Sequence, residues 1–188
     1  MAVVESEELK NGLAPVAKAN ARLFILGSLP GDASLAARRY YAHPTNQFWR
    51  LVGGAIGELL QPLDYPERLD RLADRGIGLW DVIASARRSG SLDQSIRSAE
   101  HNRISRLIED HSQLRAIAFN GSTAASIGRK LIGEPPAGLA LIDLPSSSAA
   151  NTMSLLEKAE RWSCIAQFCT VGPSHPCATG NDRQDGGQ

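Results

Sequence analysis

Short apolar runs alternate with segments of helical periodicity along the central part of the chain. The apolar runs are typical of buried strands, which we expect at residues 22–26, 77–83, 114–119 and 139–144. In other segments apolar residues recur every three or four positions, which predicts helices at residues 48–60, 66–75, 104–108, 122–132 and 155–166. This alternation favours right-handed βαβ units and parallel pairing. The predicted fold class is α/β, a three-layer α/β/α sandwich with a four-stranded, mostly parallel central sheet.

Two local patterns refine this prediction. Gly53 and Gly54 lie inside the predicted helix of residues 48–60, where glycine is unfavourable, which indicates close packing against a neighbouring element. Ser154 is followed three residues later by Glu157, which is the spacing of a capping box. We therefore expect the last helix to begin directly after Ser154.

The composition fits one globular domain between two dissimilar ends. Of the 188 residues, 43% are hydrophobic and 21% are charged, which excludes a chain that is disordered throughout. Almost no core-forming side chains occur in residues 171–188, so these are expected to form a disordered tail. The predicted organisation is an N-terminal extension at residues 1–20, an α/β/α domain at residues 21–170, and the tail.

The charge balance gives no support for a strongly basic, general DNA-coating protein. The chain has 20 Lys and Arg against 20 Asp and Glu, so its formal net charge is zero. Its three cysteines lack the spacing of a metal site, and no signal-peptide pattern or membrane-spanning apolar run occurs. We expect a reduced, cytoplasmic, monomeric protein with no membrane partner.

The unusual residues lie in loops that follow the predicted strands. Ligands of parallel α/β sheets bind at the carboxyl ends of the strands, so these loops are the place to look for a site. Residues 40–49 read YYAHPTNQFW and concentrate aromatic side chains in a protein with only 5% of them. Phe48 and Trp49 can be explained as core residues of the helix, whereas the preceding aromatics suit the stacking of a planar ring. The segment GSLPG at residues 27–31 lacks the features of a P-loop or a dinucleotide fingerprint.

Several segments together resemble motifs of the uracil-DNA glycosylase superfamily. The resemblance is greatest to the hypoxanthine-DNA glycosylase branch (the DNA-deoxyinosine glycosylases), and mismatch-specific uracil glycosylases have a similar FAHPxNxFW segment. It covers roughly residues 12–170, in the order that the family shows. The segments are GSLPG (27–31), YYAHPTNQFW (40–49), GIGLWDVI (76–83), GSLD (90–93), FNG (119–121) and LPSSS (144–148).

The resemblance implies a monofunctional DNA glycosylase that hydrolyses the N-glycosidic bond of a deaminated base in base-excision repair. Its partner would be DNA containing hypoxanthine, with uracil or xanthine as alternatives; a mismatch-specific uracil-DNA glycosylase is the nearest alternative enzyme. Such an enzyme flips the nucleotide out of the duplex and holds the base in a pocket. The residues that the resemblance places at the base are Gly27, Ser28, Leu29, Tyr41, Asp81 and Asn120.

Each base-contacting residue also has a simpler structural interpretation. Tyr41 matches the family's stacking aromatic, and Asp81 falls where related glycosylases carry an asparagine that reads the base. An ionised Asp81 only accepts hydrogen bonds, so it would suit the N–H edge of hypoxanthine or uracil. Asp81 could instead cap a strand end or pair with Arg87 or Arg88. Asn120 could line the pocket or merely turn the chain.

Asn46 is the catalytic residue that the resemblance implies, with His43 as its assistant. Other branches carry Asp or Asn where this chain has Leu29, so Asn46 would have to position the attacking water. Asn46 could instead cap the helix that follows it. His43 would stabilise negative charge on the departing base, or it could bond a backbone carbonyl.

The resemblance assigns DNA phosphates to residues 145–151, which we name the serine loop. Ser146, Ser147 and Ser148 would donate hydroxyl and backbone N–H hydrogen bonds to phosphate oxygens, although an ordinary serine-rich loop is the alternative. We expect weak, salt-sensitive DNA binding. A local positive rim would come from Arg38, Arg39, Arg87 and Arg88.

No metal or organic cofactor is expected, because the four histidines are scattered and no carboxylate cluster accompanies them. No lysine lies in a motif loop, which argues against Schiff-base chemistry. Two functions of other kinds stay open from the sequence. One is a non-catalytic nucleic-acid-binding module of the same fold, and the other is a small-molecule hydrolase that uses Ser28 or a serine of the serine loop.

Overall fold

A computed structural model describes residues 8–170 and confirms the α/β architecture. Four strands form the predicted parallel sheet, in the order β3-β2-β6-β7, and all three pairings are parallel. The strands of the described residues are β1 (Glu8–Asn11), β2 (Leu23–Gly27), β3 (Ile77–Asp81), β4 (Ile83–Arg88), β5 (Arg97–His101), β6 (Ala116–Asn120) and β7 (Ala140–Leu144).

The five predicted helices are confirmed, with shifted ends. The helix predicted at residues 48–60 ends at Ile56, because Gly57 adopts a left-handed conformation with φ of 70°. The helix predicted at residues 155–166 continues as a 3₁₀ helix, Ser163–Phe168. The predicted capping box is present: the Ser154 hydroxyl oxygen accepts from the Glu157 backbone N–H, and the Glu157 carboxylate accepts from the Ser154 backbone N–H. The helices are α1 (Asp32–Ala37), α2 (Phe48–Ile56), α3 (Tyr65–Asp74), α4 (Ile104–Asp110), α5 (Ser122–Ile132) and α6 (Leu155–Trp162).

The central sheet is buried on both faces, which explains the uninterrupted apolar sequence of β2. Successive side chains of a strand point to opposite faces, so one strand serves two cores. Leu23 and Ile25 belong to the core that includes residues of α2, α3 and α6. Phe24 and Leu26 belong to the other core, which includes residues of α4 and α5.

A second, three-stranded antiparallel sheet in the order β1-β4-β5 was not predicted. The run at residues 77–83, interpreted as one strand, is two: β3 ends at Asp81 and β4 begins at Ile83 in the other sheet. The sequence hides β5 because its five residues, RSAEH, contain little apolar surface and are mostly exposed. Helix α1 is only six residues long and too short for a periodic pattern.

The ends of the chain bear on the predicted organisation. Within the proposed extension of residues 1–20, β1 pairs with β4, and Val16 forms an isolated bridge to Leu79. The predicted tail at residues 171–188 lies outside the described residues, so its disorder stays a prediction. No helix in residues 8–170 is long and apolar enough to cross a membrane.

Candidate active site

The sequence-predicted base-binding residues meet at the carboxyl edge of the parallel sheet. Gly27 ends β2 and lies opposite Asp81 at the end of β3. Asn120 ends β6 and lies opposite Leu144, directly before the serine loop. The strand order therefore brings the loops after β2, β3, β6 and β7 to one edge, where ligands of such sheets bind.

Gly27, Asp81 and Tyr41 form a tightly packed polar cluster at this edge. A Cβ atom added to Gly27 would lie 2.5 Å from Asp81 Oδ1 and 3.4 Å from the Tyr41 hydroxyl. Among the described residues, neither Asp81 Oδ2 nor the Tyr41 hydroxyl has a hydrogen-bond partner, although both atoms are buried. Buried polar atoms are rarely left unpaired, so these two groups are available to a ligand.

The carboxyl group of Asp81 is poised between its two protonation states. Its side chain is only 4% exposed. Burial, reinforced by the charge of Asp93 and opposed by Arg88, raises the pKa of Asp81 to about 7. The expectation of a purely ionised acceptor therefore needs correction, because near neutral pH a protonated Asp81 that can also donate is present beside the ionised form.

Tyr41 is held in a constrained position against the helix that follows it. It has a positive φ of 53°, and its ring stacks on Phe48 with centroids 3.7 Å apart and planes 9° apart. Phe48 thus covers one face of the ring, which leaves only the other face for a base. Burial and the nearby Asp81 charge raise the pKa of Tyr41, which stays a neutral hydroxyl, while neighbouring Asn120 opposes the rise.

Asn46 contacts the start of the following helix, but as the residue before the N-cap, which is Gln47 and has no side-chain cap. Its Oδ1 accepts a 2.9 Å hydrogen bond from the backbone N–H of Phe48, in the first turn of α2. His43 is exposed, and its Nδ1 lies 3.0 Å from the Thr45 hydroxyl rather than against a carbonyl. A carbonyl oxygen has two lone pairs, so Asn46 Oδ1 retains one for a further donor such as water.

Asn120 connects the end of β6 to the serine loop. Its amide donates to the Ser147 hydroxyl over 2.9 Å, and its Oδ1 accepts from the Ser147 backbone N–H over 2.8 Å. Ser147 is buried, whereas Ser146 and Ser148 are half-buried. Of the three serines, Ser146 and Ser148 are thus the two whose hydroxyls are closer to solvent.

The loop after β2 is supported from beneath by Arg88. This arginine is fully buried, and its guanidinium donates to the carbonyls of Leu29 and Pro30. Its place in the expected positive rim was therefore wrong, since its charge points into the protein. Leu29 is itself buried in the second core cluster, and Ser28 donates a 2.6 Å hydrogen bond to Asp93.

Two residues near the site were not identified from the sequence. Asp93 lies in the GSLD segment, where its contact with Ser28 has no sequence signal. Lys158 lies on α6 and is fully buried, with its ammonium group bonded to the serine loop. Its burial could have been predicted from the helical spacing, because Lys158 lies three residues after Leu155 and four before Trp162, on the apolar side of the helix.

The geometry does not favour the small-molecule hydrolase alternative. Ser28 bonds an aspartate, and in the described residues no histidine contacts it or a serine of the serine loop, so no Ser–His–acid arrangement occurs there. The described residues also contain no group of three His, Cys, Asp or Glu side chains that could hold a metal ion.

Comparison with known proteins gives consistent matches over most of the described residues. A sequence model of the family described as "Uracil DNA glycosylase superfamily" matches residues 14–168. A protein named hypoxanthine DNA glycosylase from Methanosarcina barkeri (strain Fusaro) is 40% identical over 153 residues, which are 81% of this chain and 95% of that protein. One of the same name from Methanosarcina acetivorans is 41% identical over 157 residues, 84% of this chain and 98% of that protein.

A solved structure extends the match to three dimensions. The solution NMR structure of a candidate uracil DNA glycosylase from Methanosarcina acetivorans matches with a TM-score of 0.76 at 41% identity. The match covers 85% of this chain and 98% of that chain. The sequence matches and the structural match thus cover most of residues 8–170.

Proposed function

Because the chain belongs to the uracil DNA glycosylase superfamily and is a DNA glycosylase, we propose that it removes hypoxanthine from DNA in base-excision repair. The observation that carries this proposal is the pair of unpartnered buried atoms, Asp81 Oδ2 and the Tyr41 hydroxyl, beside Gly27. They provide polar partners for one planar heterocycle, and the missing side chain at Gly27 lets the Asp81 carboxyl group lie against the end of β2. The names of the two Methanosarcina relatives support hypoxanthine as the first substrate.

Recognition of the base follows from the two protonation states of Asp81. The ionised carboxylate accepts from N1–H of hypoxanthine, and the protonated form can donate to a ring nitrogen or carbonyl oxygen. The flipped base would lie on the face of the Tyr41 ring that Phe48 does not cover. Uracil presents an N3–H group to the same acceptor, so uracil and xanthine stay secondary candidates.

Catalysis in this proposal is hydrolysis with a positioned water. The C1′–N9 bond breaks with its electron pair remaining on the base, which then takes up a proton. The water oxygen bonds to C1′ of the resulting oxocarbenium-like sugar and loses a proton to solvent. Asn46 is no general base, so its role is to orient that water through the free lone pair of its Oδ1. His43, which is exposed beside Thr45, would stabilise the departing base.

DNA contacts outside the base pocket are assigned to the serine loop. Ser146 and Ser148 would donate their hydroxyl hydrogens to phosphates, while Ser147 and Asn120 hold the loop at the end of β6. Ser28 and Leu29 would approach the base through their backbone. Both are held in place by side-chain contacts: Ser28 by Asp93 and Leu29 by Arg88.

The proposal is tested with a series of matched duplexes that contain hypoxanthine, uracil, xanthine or no damage. Abasic sites are scored after incubation with the parent protein, and an identically purified Asn46→Ala variant controls for contaminating glycosylases. We expect hypoxanthine to be released fastest. Fastest release of uracil would favour a mismatch-specific uracil-DNA glycosylase instead. DNA binding without any abasic product would refute the enzymatic proposal and favour the binding module.

A further inference from the structure

Lys158 is a buried cation without an anionic partner in the described part of the chain. Its side chain has no exposed surface, and no carboxylate of residues 8–170 forms an ion pair with it. Burial lowers its pKa, and no neighbouring charge opposes this effect. Burying an ammonium group without a counter-charge is unfavourable by several kcal/mol. In the described residues the Lys158 ammonium therefore has neutral hydrogen-bond acceptors but no counter-charge.

All three N–H donors of the Lys158 ammonium form hydrogen bonds, either to the start of α2 or to the serine loop. They donate to Gln47 Oε1 over 2.9 Å, to the Ser148 carbonyl over 3.2 Å and to the Asn151 carbonyl over 3.1 Å. Gln47 directly follows Asn46, and its backbone N–H also donates to the Ser147 carbonyl over 2.9 Å. Lys158 thus joins the start of α2 to the serine loop.

This arrangement determines which way two backbone N–H groups face. In a trans peptide, the carbonyl and the following N–H point in opposite directions. Because the carbonyls of Ser148 and Asn151 point inward to Lys158, the N–H groups of Ala149 and Thr152 point outward. Both residues are exposed, and neither N–H has a hydrogen-bond partner among the described residues.

The neighbouring hydroxyls add donors to the same surface. Ser146 Oγ accepts from the Ser148 backbone N–H, and Ser148 Oγ accepts from the Ala150 backbone N–H. Each hydroxyl therefore keeps its hydrogen for a ligand outside the loop. Outward N–H groups above a buried positive charge make a site for an anion.

We propose that Lys158 is the internal cation of a phosphodiester-binding site formed by the serine loop and the next residue, Thr152. The outward donors of this site are the N–H groups of Ala149 and Thr152. Lys158 acts as a positioning residue, because it reaches the phosphate only through the loop and through its electric field. The inference rests on the proposed function in one respect, namely that the phosphodiester belongs to DNA.

Substitution of Lys158 tests the role of the charge. We expect Lys158→Met to weaken binding of an undamaged duplex about tenfold. The slope of log Kd against log salt should become smaller by about 0.9, the value for one lost phosphate contact. Lys158→Arg, which keeps the positive charge, should restore part of the affinity. Lys130→Met, which removes an exposed lysine of α5, is the matched control and should change none of these quantities.

A purely structural role would give a different pattern. Lys158→Met would then lower Tm and kcat while the salt slope stayed at the parent value, which would overturn the proposal. Because the variant can fail to fold, a measurement on the parent protein is added. In ¹H–¹⁵N spectra titrated with a short undamaged duplex, the amide signals of Ala149 and Thr152 should shift and saturate. Unshifted amides at DNA saturation would overturn the proposal independently.

The two proposals can fail separately. A parent protein that binds DNA with these amide shifts but releases no base would refute the glycosylase proposal and leave the phosphate site intact. A parent protein that releases hypoxanthine without shifts at Ala149 and Thr152 would do the reverse. A parent protein that does not bind DNA would refute both.

Discussion

Replacing Asp81 with asparagine should stabilise the protein, and the gain should grow with pH. Asp81 is buried, and its pKa is raised from 3.8 to about 7. Between these two values the folded protein holds a proton that the unfolded chain has already lost. The free energy of unfolding of the parent therefore falls as pH rises through this window and levels off above about pH 7. Asparagine has nearly the same shape and no charge, so Asp81→Asn avoids this loss.

The size of the effect follows from the two pKa values. Where the folded state is protonated and the unfolded state is not, each pH unit lowers the free energy of unfolding by about 1.4 kcal/mol. Across the whole window the total approaches about 4 kcal/mol, of which roughly 2.5 kcal/mol is lost from about pH 5 to about pH 8. The stability difference between Asp81→Asn and the parent should increase by that amount over the same range.

Urea unfolding at several pH values measures this difference directly. Asp70→Asn, an exposed change on α3, is the control and should show no comparable growth with pH. A stability difference between Asp81→Asn and the parent that is constant or shrinks with rising pH would refute the assignment of a buried, proton-holding carboxyl group. In the same preparations, hypoxanthine release by Asp81→Asn should fall at least about tenfold. Equal release by variant and parent would refute the role of Asp81 in base recognition.

Three further predictions concern Asn46 and the glycines. Asn46→Ala should lower the free energy of unfolding by about 1 kcal/mol, because the hydrogen bond to the Phe48 backbone N–H is lost, and should slow base release on the order of a hundredfold with DNA binding retained. Asn46→Ser should restore the stability but not the rate of base release. Full activity in either variant would contradict the water-positioning role. Gly27→Ala should abolish base release, because its Cβ would lie 2.5 Å from Asp81 Oδ1, and an unchanged release rate would disprove the location of the pocket. In α2, Gly53→Ala should destabilise the protein by roughly 1–3 kcal/mol, because its Cβ would lie 2.6 Å from the Glu58 carbonyl oxygen. Gly54→Ala, where a Cβ would meet no atom, should stabilise the protein by about 1 kcal/mol. Thermal unfolding that ranks the two variants the other way would refute the packing argument.

The strands of the central sheet and the amphipathic helices could be predicted from the sequence, whereas the strands of the second sheet could not. The strands β2 and β6 carry continuous apolar sequences because helices cover both faces of the sheet. In contrast, β5 is mostly exposed and β4 ends in two arginines, so neither has the pattern of a core strand. The strand break at Val82 is equally hidden, because all three residues from Asp81 to Ile83 are buried.

For the candidate site, the proximity of the motif residues could be predicted, whereas their protonation and support could not. The motif positions led to Gly27, Tyr41 and Asp81, which the structure brings together in one cluster, while their roles stay predictions. The raised pKa of Asp81 depends on its burial and on the charge of Asp93, which lies in the GSLD segment after β4. Arg88 was misplaced in the rim because its sequence neighbours, in an alternating strand, do not reveal which side chain points inward.

The position of the cations explains how a protein with zero net charge can still hold DNA. Arg88 and Lys158 are both fully buried, and each donates to backbone carbonyls of a loop at the site: Arg88 beneath the loop after β2, and Lys158 beneath the serine loop. Charge held in this way orients loop dipoles toward a ligand. Because few phosphates are then neutralised, undamaged DNA should be bound weakly and released easily by salt. Net charge therefore bears on how long the protein stays on undamaged DNA, whereas in the proposed function the choice of base depends on the cluster of Gly27, Tyr41 and Asp81.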